Sequence, residues 1–296
     1  MSIGDRRGGD AGGMPQPFSS RTSSAHASGA GGREFAFSAD DFERIRKLIH
    51  DHVGIALSPA KQDMVYSRLT RRLRACGEST FSGYLARLDR DRKEWEAFVN
   101  SLTTNLTSFF REAHHFDILI EQMRAIGTAR RISIWCCAAS TGEEPYSLAI
   151  AACEAFKTLT PQVSILATDV NTEVLETARR GVYEEDRVAR MAPARLQQFF
   201  TREANGCVRV KPELQRMITF RPVNLLEQNW GIRGPLDAIF CRNVMIYFDK
   251  PTQYTILKRF APLLGRDGSL YAGHSESFQH AADIFRLVGR TVYTPV

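Results

Sequence analysis

I-S-I-W-C-C-A-A-S-T-G-E-E-P-Y-S, residues 132–147, decides the fold of this 296-residue chain. Residues 132–137 are a continuous apolar run between an arginine pair and a small-residue turn, as in a parallel strand buried on both faces. Residues 138–142 make the turn, and residues 143–157, with Tyr146, Leu148, Ala149, Ile150 and Ala152, read as the helix that follows. The same grammar continues downstream. Strands are expected at residues 163–168, 217–220, 236–241, 269–273 and 291–294, with helices at 172–180 and 251–264. Repeated strand, helix and strand imply a doubly wound, Rossmann-like α/β sheet. Residues 182–216 break the rhythm with a charged helical stretch and a hairpin-like piece, Cys207-Val208-Arg209-Val210, after Asn205-Gly206.

Upstream the pattern is helical. Ser38 precedes Asp40, Asp41 and Glu43, an N-cap with an acidic first turn, and Phe42, Ile45, Leu48 and Ile49 form one stripe that stops near Gly54. Ser58-Pro59 restarts a helix carrying Val65, Leu69, Leu73 and Cys76 before Gly77, and two more helical patterns cover residues 81–88 and 94–102. Residues 34–112 therefore read as an all-helical domain with a linker, and residues 113–296 as the α/β domain. Residues 1–33 hold eight Gly, six Ser and four Ala, too little apolar surface to offset chain entropy, so a disordered tail is expected.

The net charge of +6 divides into +2 in the tail, +1 in the helical domain and +3 in the α/β domain. No domain is basic enough to suggest a nucleic-acid partner. Neither a secretory signal nor a membrane-spanning stretch is evident, so a cytoplasmic location without membrane insertion is expected. Six cysteines without a C-x-x-C fit neither a disulfide framework nor a zinc site. Locally, Arg68, Arg71, Arg72 and Arg74 stand in a run free of acids, and the i, i+3, i+4 spacing of the first three predicts a shared basic helix face.

The turn after the first strand lacks the G-x-G-x-x-G fingerprint, and Glu143 and Glu144 stand where a pyrophosphate would meet the helix. Two carboxylates there argue against NAD and for a positively charged ligand, S-adenosylmethionine (SAM), although both suit the helix dipole by themselves. Asp169 ends the second strand, where an acid can hold ribose hydroxyls; the alternative role is an N-cap, for which Asn171 is better placed. Arg242 and Asn243 follow the strand at 236–241, at the rim of the sheet. Methyltransferases acting on amide or ring-exocyclic nitrogens carry an Asn or Asp followed by two prolines and an aromatic here, whereas Val-Met-Ile-Tyr in this chain makes an oxygen nucleophile the better expectation. Residues 101–116, S-L-T-T-N-L-T-S-F-F-R-E-A-H-H-F, crowd polar side chains between the domains and read as a lid over the crevice. Glu112 with His114 and His115 invites a metal reading, but adjacent histidines on a helix diverge and no further ligand is in register, so no metal is expected.

Taken in order, L-T-T-N-L-T-S-F-F-R-E-A-H-H-F, A-A-S-T-G-E-E-P-Y-S, A-T-D-V-N-T-E-V-L-E-T-A-R-R-G, V-N-L-L-E and D-A-I-F-C-R-N-V-M-I-Y-F-D resemble the chemotaxis-receptor methyltransferases of the CheR type. The resemblance runs from about Phe42 to Val296. It implies a SAM-binding α/β domain behind a helical domain, and methyl transfer to glutamate side chains on the cytoplasmic helices of chemoreceptors, with S-adenosylhomocysteine as product. It also implies that Asn105, Thr107, Arg111, Glu144, Asp169, Asn224, Leu225, Arg242 and Asn243 line the SAM pocket, with Arg111 and Tyr247 beside the methyl group as the catalytic pair. The basic face of Arg68, Arg71, Arg72 and Arg74 then becomes a candidate dock for an acidic receptor helix. Residues 182–216 resemble the family's small β-subdomain, which in some members grips a receptor pentapeptide. The loop at residues 201–208 is shorter than in those members, so methylation without that tether is expected. A methyltransferase for another substrate and a SAM-sensing adaptor are the alternatives.

Overall fold

The computed structural model describes residues 33–296, so the expected tail, apart from Arg33, lies outside the described residues. The helical half contains α1 (Ala39–Val53), α2 (Gln62–Cys76), α3 (Phe81–Leu88) and α4 (Arg92–Leu102). Their boundaries follow from local chemistry. Ser38 and Asp41 exchange hydrogen bonds in a capping box, Thr80 caps α3, Asp91 caps α4, and Gly54 and Gly77 close α1 and α2 in the left-handed region. Ile45, Ile49, Val65, Leu69, Leu73, Tyr84 and Phe98 fill the core between them.

The α/β half begins with α5 (His114–Ile126), a helix passed over by the sequence reading although Phe116, Leu119 and Met123 bury one side of it. It continues through β1 (Ile132–Cys136), α6 (Glu143–Phe156), β2 (Val163–Asp169), α7 (Thr172–Arg180), β3 (Val182–Glu184), α8 (Glu185–Val188), α9 (Pro193–Phe199), β4 (Phe200–Arg202), β5 (Cys207–Val210) and α10 (Pro212–Arg216). It ends with β6 (Ile218–Pro222), β7 (Leu236–Cys241), α11 (Lys250–Phe260), β8 (Leu264–Ala272), β9 (Phe285–Gly289) and β10 (Val292–Pro295). Other details also differ from expectation: β8 begins at Leu264 rather than at residue 269. Helix α11 ends at Phe260, where a short 3-10 turn containing Pro262 takes over, and β9 is an extra edge strand.

Seven strands form one sheet in the order β6-β2-β1-β7-β8-β10-β9. The first five are parallel neighbours, while β10 pairs antiparallel with both β8 and β9. Because the chain runs outward from β1 through β2 to β6 and then returns to β7 on the other side of β1, the topological switch lies between β1 and β7. A ligand crevice is expected outside their carboxyl ends. One face of the sheet packs on α5 and α6 through Phe116, Leu119, Leu148 and Ile150, and the other buries Trp135, Trp230 and Phe260 together. The interruption forms a separate antiparallel sheet, β3-β5-β4, agreeing with the small insertion read from the sequence.

Candidate active site

The crevice at the switch point opens into a cavity of about 510 Å³, within the range of small-ligand sites. All nine residues assigned to the SAM pocket border it: Asn105, Thr107 and Arg111 from the interdomain segment, Glu144 at the start of α6, Asp169 at the end of β2, Asn224 and Leu225 after β6, and Arg242 and Asn243 after β7. Tyr247 borders the same space. The helical half supplies another wall, including Ile55, Leu57, Lys61, Met64 and Arg68.

Close packing joins the two halves around this cavity. At Gly54, with φ of 76°, a Cβ atom would lie 2.6 Å from the Phe248 ring, so glycine serves both the helix end and the contact. The Ala56 N–H donates to the Tyr247 carbonyl at 2.9 Å, which fixes the turn carrying that tyrosine. Asn224 Nδ2 donates to the carbonyl of His52 and its Oδ1 accepts from Leu226 N at 3.0 Å. The interdomain segment is tied down as a wall: Ser140 Oγ donates to the Asn105 carbonyl at 3.0 Å, and Phe110 N donates to Ser147 Oγ at 3.0 Å. Arg111 Nη1 donates to the Leu106 carbonyl at 3.1 Å.

The two glutamates of the α6 start part company. Glu143 is fully buried and is held by Thr141 Oγ1 at 2.6 Å and by Arg187 of the insertion, so it anchors the small sheet. Glu144 faces the cavity, accepts from Arg242 Nη1 at 2.6 Å and is touched by Cys136 Sγ at 3.3 Å; burial pushes its carboxyl up, against the pull of Arg242. Asp169 accepts Ser140 N at 2.9 Å on one oxygen and Asn171 N at 2.9 Å on the other. Burial pushes its carboxyl up to about 6, opposed by those N–H bonds. Asn171, not Asp169, caps α7, accepting from Glu173 N and Val174 N.

Glu112 is a site residue that the sequence reading weighed only as a metal ligand. It accepts from His274 Nδ1 at 3.0 Å and from Asn243 Nδ2 at 3.4 Å, and it lies 3.4 Å from Arg242 Nη2. Burial alone would raise its carboxyl, but the His274 bond and the Arg242 charge bring it down to about 2. Arg242 in turn donates to the Arg111 carbonyl, so Glu112, Arg242 and Arg111 are one connected unit. The buried Glu276 accepts from Asn243 N at 2.9 Å and also went unread. Its only sequence signal was a polar G-H-S-E turn after an apolar strand. His115 points into the core, where Nε2 meets the Arg290 carbonyl at 2.9 Å; burial and the Arg242 charge push it down to about 4.

The four arginines of α2 do not form the single outward face expected of them. Arg72 grips the buried Glu94 with Nε at 3.0 Å and Nη2 at 2.6 Å, while Arg68 turns to the carbonyls of Ser101 and Thr103 at 3.3 and 2.7 Å and borders the cavity. Arg71 and Arg74 are exposed. The reason is that i, i+4 neighbours share a face whichever way it points, and here the face of Arg68 and Arg72 meets α4.

A switch-point crevice with one carboxylate at the end of β2, another at the start of α6, and no glycine-rich phosphate turn is the site of a SAM-dependent methyltransferase. The donor set fits this ligand, because Asp169 and Glu144 each keep lone pairs beyond the bonds named above. Residues 105–294 match the SAM-binding domain of CheR methyltransferases, and residues 40–103 match their all-alpha domain. The chain belongs to the CheR methyltransferase family and is a SAM-dependent chemotaxis methyltransferase. It is 48% identical to chemotaxis protein methyltransferase 2 of Pseudomonas aeruginosa over 269 residues, 90% of this chain and 96% of the relative. It is 50% identical over 266 residues to the chemotaxis protein methyltransferase of Salmonella typhimurium, covering 88% of this chain and 92% of the relative. The Escherichia coli protein is 49% identical over 263 residues, 87% of this chain and 91% of that one. Among the described residues, no helix is long and apolar enough to cross a membrane.

Proposed function

We propose that the protein esterifies glutamate side chains on the cytoplasmic helices of chemoreceptors. The observation that carries this reading is the convergence of Arg111 and Tyr247 on the cavity that Asp169 and Glu144 also border. The bound cofactor supplies an electrophilic methyl group on a positively charged sulfonium. A glutamate carboxylate has an ordinary pKa of about 4.3, so it is ionised at neutral pH and needs no general base. The chain's task is orientation and exclusion of water, and orientation alone can be worth up to roughly 7–11 kcal/mol. Arg111 and Tyr247 align the acceptor carboxylate by hydrogen bonds, with Arg111 as substrate clamp or as partner of the cofactor carboxylate. Asp169 holds ribose hydroxyls, and Asn105, Thr107, Glu144, Asn224, Leu225, Arg242 and Asn243 complete the cofactor's surroundings. The Glu112 and Arg242 unit fixes the backbone from which Arg111 extends.

The test is transfer of labelled methyl from SAM to a receptor cytoplasmic fragment, with the acceptor Glu→Gln fragment as control. Label should depend on the acceptor glutamates and should disappear in Arg111→Ala; near-normal transfer by that variant would remove Arg111 from its role. The exposed Arg71 is the clearest candidate of α2 for steering an acidic helix, an effect that salt would weaken. Strands β4 and β5 are joined by residues 203–206 alone, which supports receptor methylation without a pentapeptide tether. Micromolar binding of such a peptide in calorimetry would contradict that part of the reading.

A further inference from the structure

Among the described residues, the large apolar side chains that stand exposed are Leu106, Ile246, Leu287, Val288 and Val296. Single exposed apolar residues are ordinary. Leu106 and Ile246 are different, because both border the cofactor cavity although they come from the interdomain segment and from the turn after β7. Leu106 is 79% exposed and Ile246 50%, against 8% for each of the two acids bordering that cavity, Glu144 and Asp169. The apolar pair therefore sits at the mouth and the carboxylates at the floor. Each member adjoins a catalytic side chain: the Leu106 carbonyl accepts from the Arg111 guanidinium, and Ile246 immediately precedes Tyr247. The cations bordering the cavity besides the buried Arg242, namely Lys61, Arg68 and Arg111, are exposed or half-buried, so the mouth is positive as well as apolar.

We propose that Leu106 and Ile246 form a substrate-reading rim that seats an apolar side chain lying one helical turn from the acceptor glutamate. This rests on the glutamate-methylation reading above and narrows it. The partner is an acidic amphipathic helix whose acceptor has an apolar residue three or four positions away, since residues at that spacing share a face. A carboxylate-bearing segment without that apolar neighbour meets the positive mouth but not the rim, and is a poorer substrate.

The experiment measures initial methylation rates of a receptor cytoplasmic fragment by the full chain and by Leu106→Asn/Ile246→Asn, together with SAM affinity by calorimetry. The double variant should raise KM for the fragment by about tenfold. The rise should be equally large at low and high salt, unlike a loss of charge steering. Calorimetry should give SAM a Kd within about twofold of the parent, and this also shows that the variant is folded. Leu106→Met/Ile246→Val should restore KM. Replacing the fragment's apolar residue by Asn should raise KM similarly, and the two changes together should cost little more than either alone. An unchanged KM, additive effects or a matching loss of SAM affinity would overturn the rim, the last by making the pair cofactor contacts. A parent protein that leaves the fragment unlabelled would instead overturn the glutamate-methylation reading, and the rim with it.

Discussion

The helical half and the α/β half each set an arginine against a buried glutamate, and the two clusters are built on different terms. In the helical half, Arg72 meets Glu94 through two parallel hydrogen bonds, and the Tyr84 hydroxyl adds a third at 2.7 Å. That pair is saturated. In the α/β half, Arg242 divides its guanidinium among Glu144, Glu112 and the Arg111 carbonyl, and both its Nε and Glu112 Oε2 are buried without a hydrogen-bond partner. Saturation serves a clamp that only has to hold three helices together. Incomplete satisfaction is costly in a low-dielectric site, and it persists here at the wall of a ligand cavity, where spare polar capacity has a use.

The comparison breaks first at Arg242. Arg242→Ala leaves Glu112 and Glu144 buried without their cation, which should cost about 3–5 kcal/mol in urea denaturation. It also frees the Arg111 carbonyl, so SAM binding in calorimetry should fall with stability. A destabilised variant that still bound SAM normally would show that the cluster is only another clamp. Arg72→Ala should be milder, about 1–3 kcal/mol, because the Arg72 side chain is 30% exposed and water can reach Glu94 in its place. SAM affinity should stay near that of the parent protein. If it fell as steeply as for Arg242→Ala, the clamp would not be independent of the pocket. The methyltransfer effect of Arg72→Glu would be clouded by this same pair, so Arg71 is the cleaner probe of docking.

Much of this architecture was readable in one dimension because its signals are local. The apolar run before Ala138, the Ser38 cap, Gly77 and Asn171 each act within a few residues, and the ends of β1, β2 and β7 carry the polar residues that the switch point gathers. What escaped depends on distant partners. Glu94 lies 22 positions from Arg72, so the spacing of the arginines revealed a shared face but not the carboxylate it meets. Glu112 finds Asn243 and His274 at separations of 131 and 162 residues, and only its histidine neighbours were visible in sequence. Strand β9 shows mostly exposed residues because it is an edge, which removes the alternation that would announce it.

The smallest expected effect is a matter of protons. Asp169 is raised from 3.8 to about 6 by burial, so the folded, ligand-free protein takes up a proton more readily than the unfolded chain between those values. Its contribution therefore makes ligand-free stability fall as pH rises from about 4 to 6, and then level off. Ribose hydroxyls donate best to the ionised carboxylate, so SAM affinity should move the opposite way. With a pKa of about 6, the ionised fraction rises about fourfold from pH 5.5 to 7.0, and the SAM Kd should tighten by about that factor, roughly 0.8 kcal/mol. Glu144, pushed up by burial in the same direction, adds to the slope with the same sign. The saturated Arg72 and Glu94 pair gives no such slope, because there the arginine and the Tyr84 hydroxyl hold the carboxyl below its ordinary value against the upward push of burial. Calorimetric titration of SAM at the two pH values decides the matter. A Kd that did not change, or that tightened toward acid, would mean that Asp169 does not meet the ligand in its charged form.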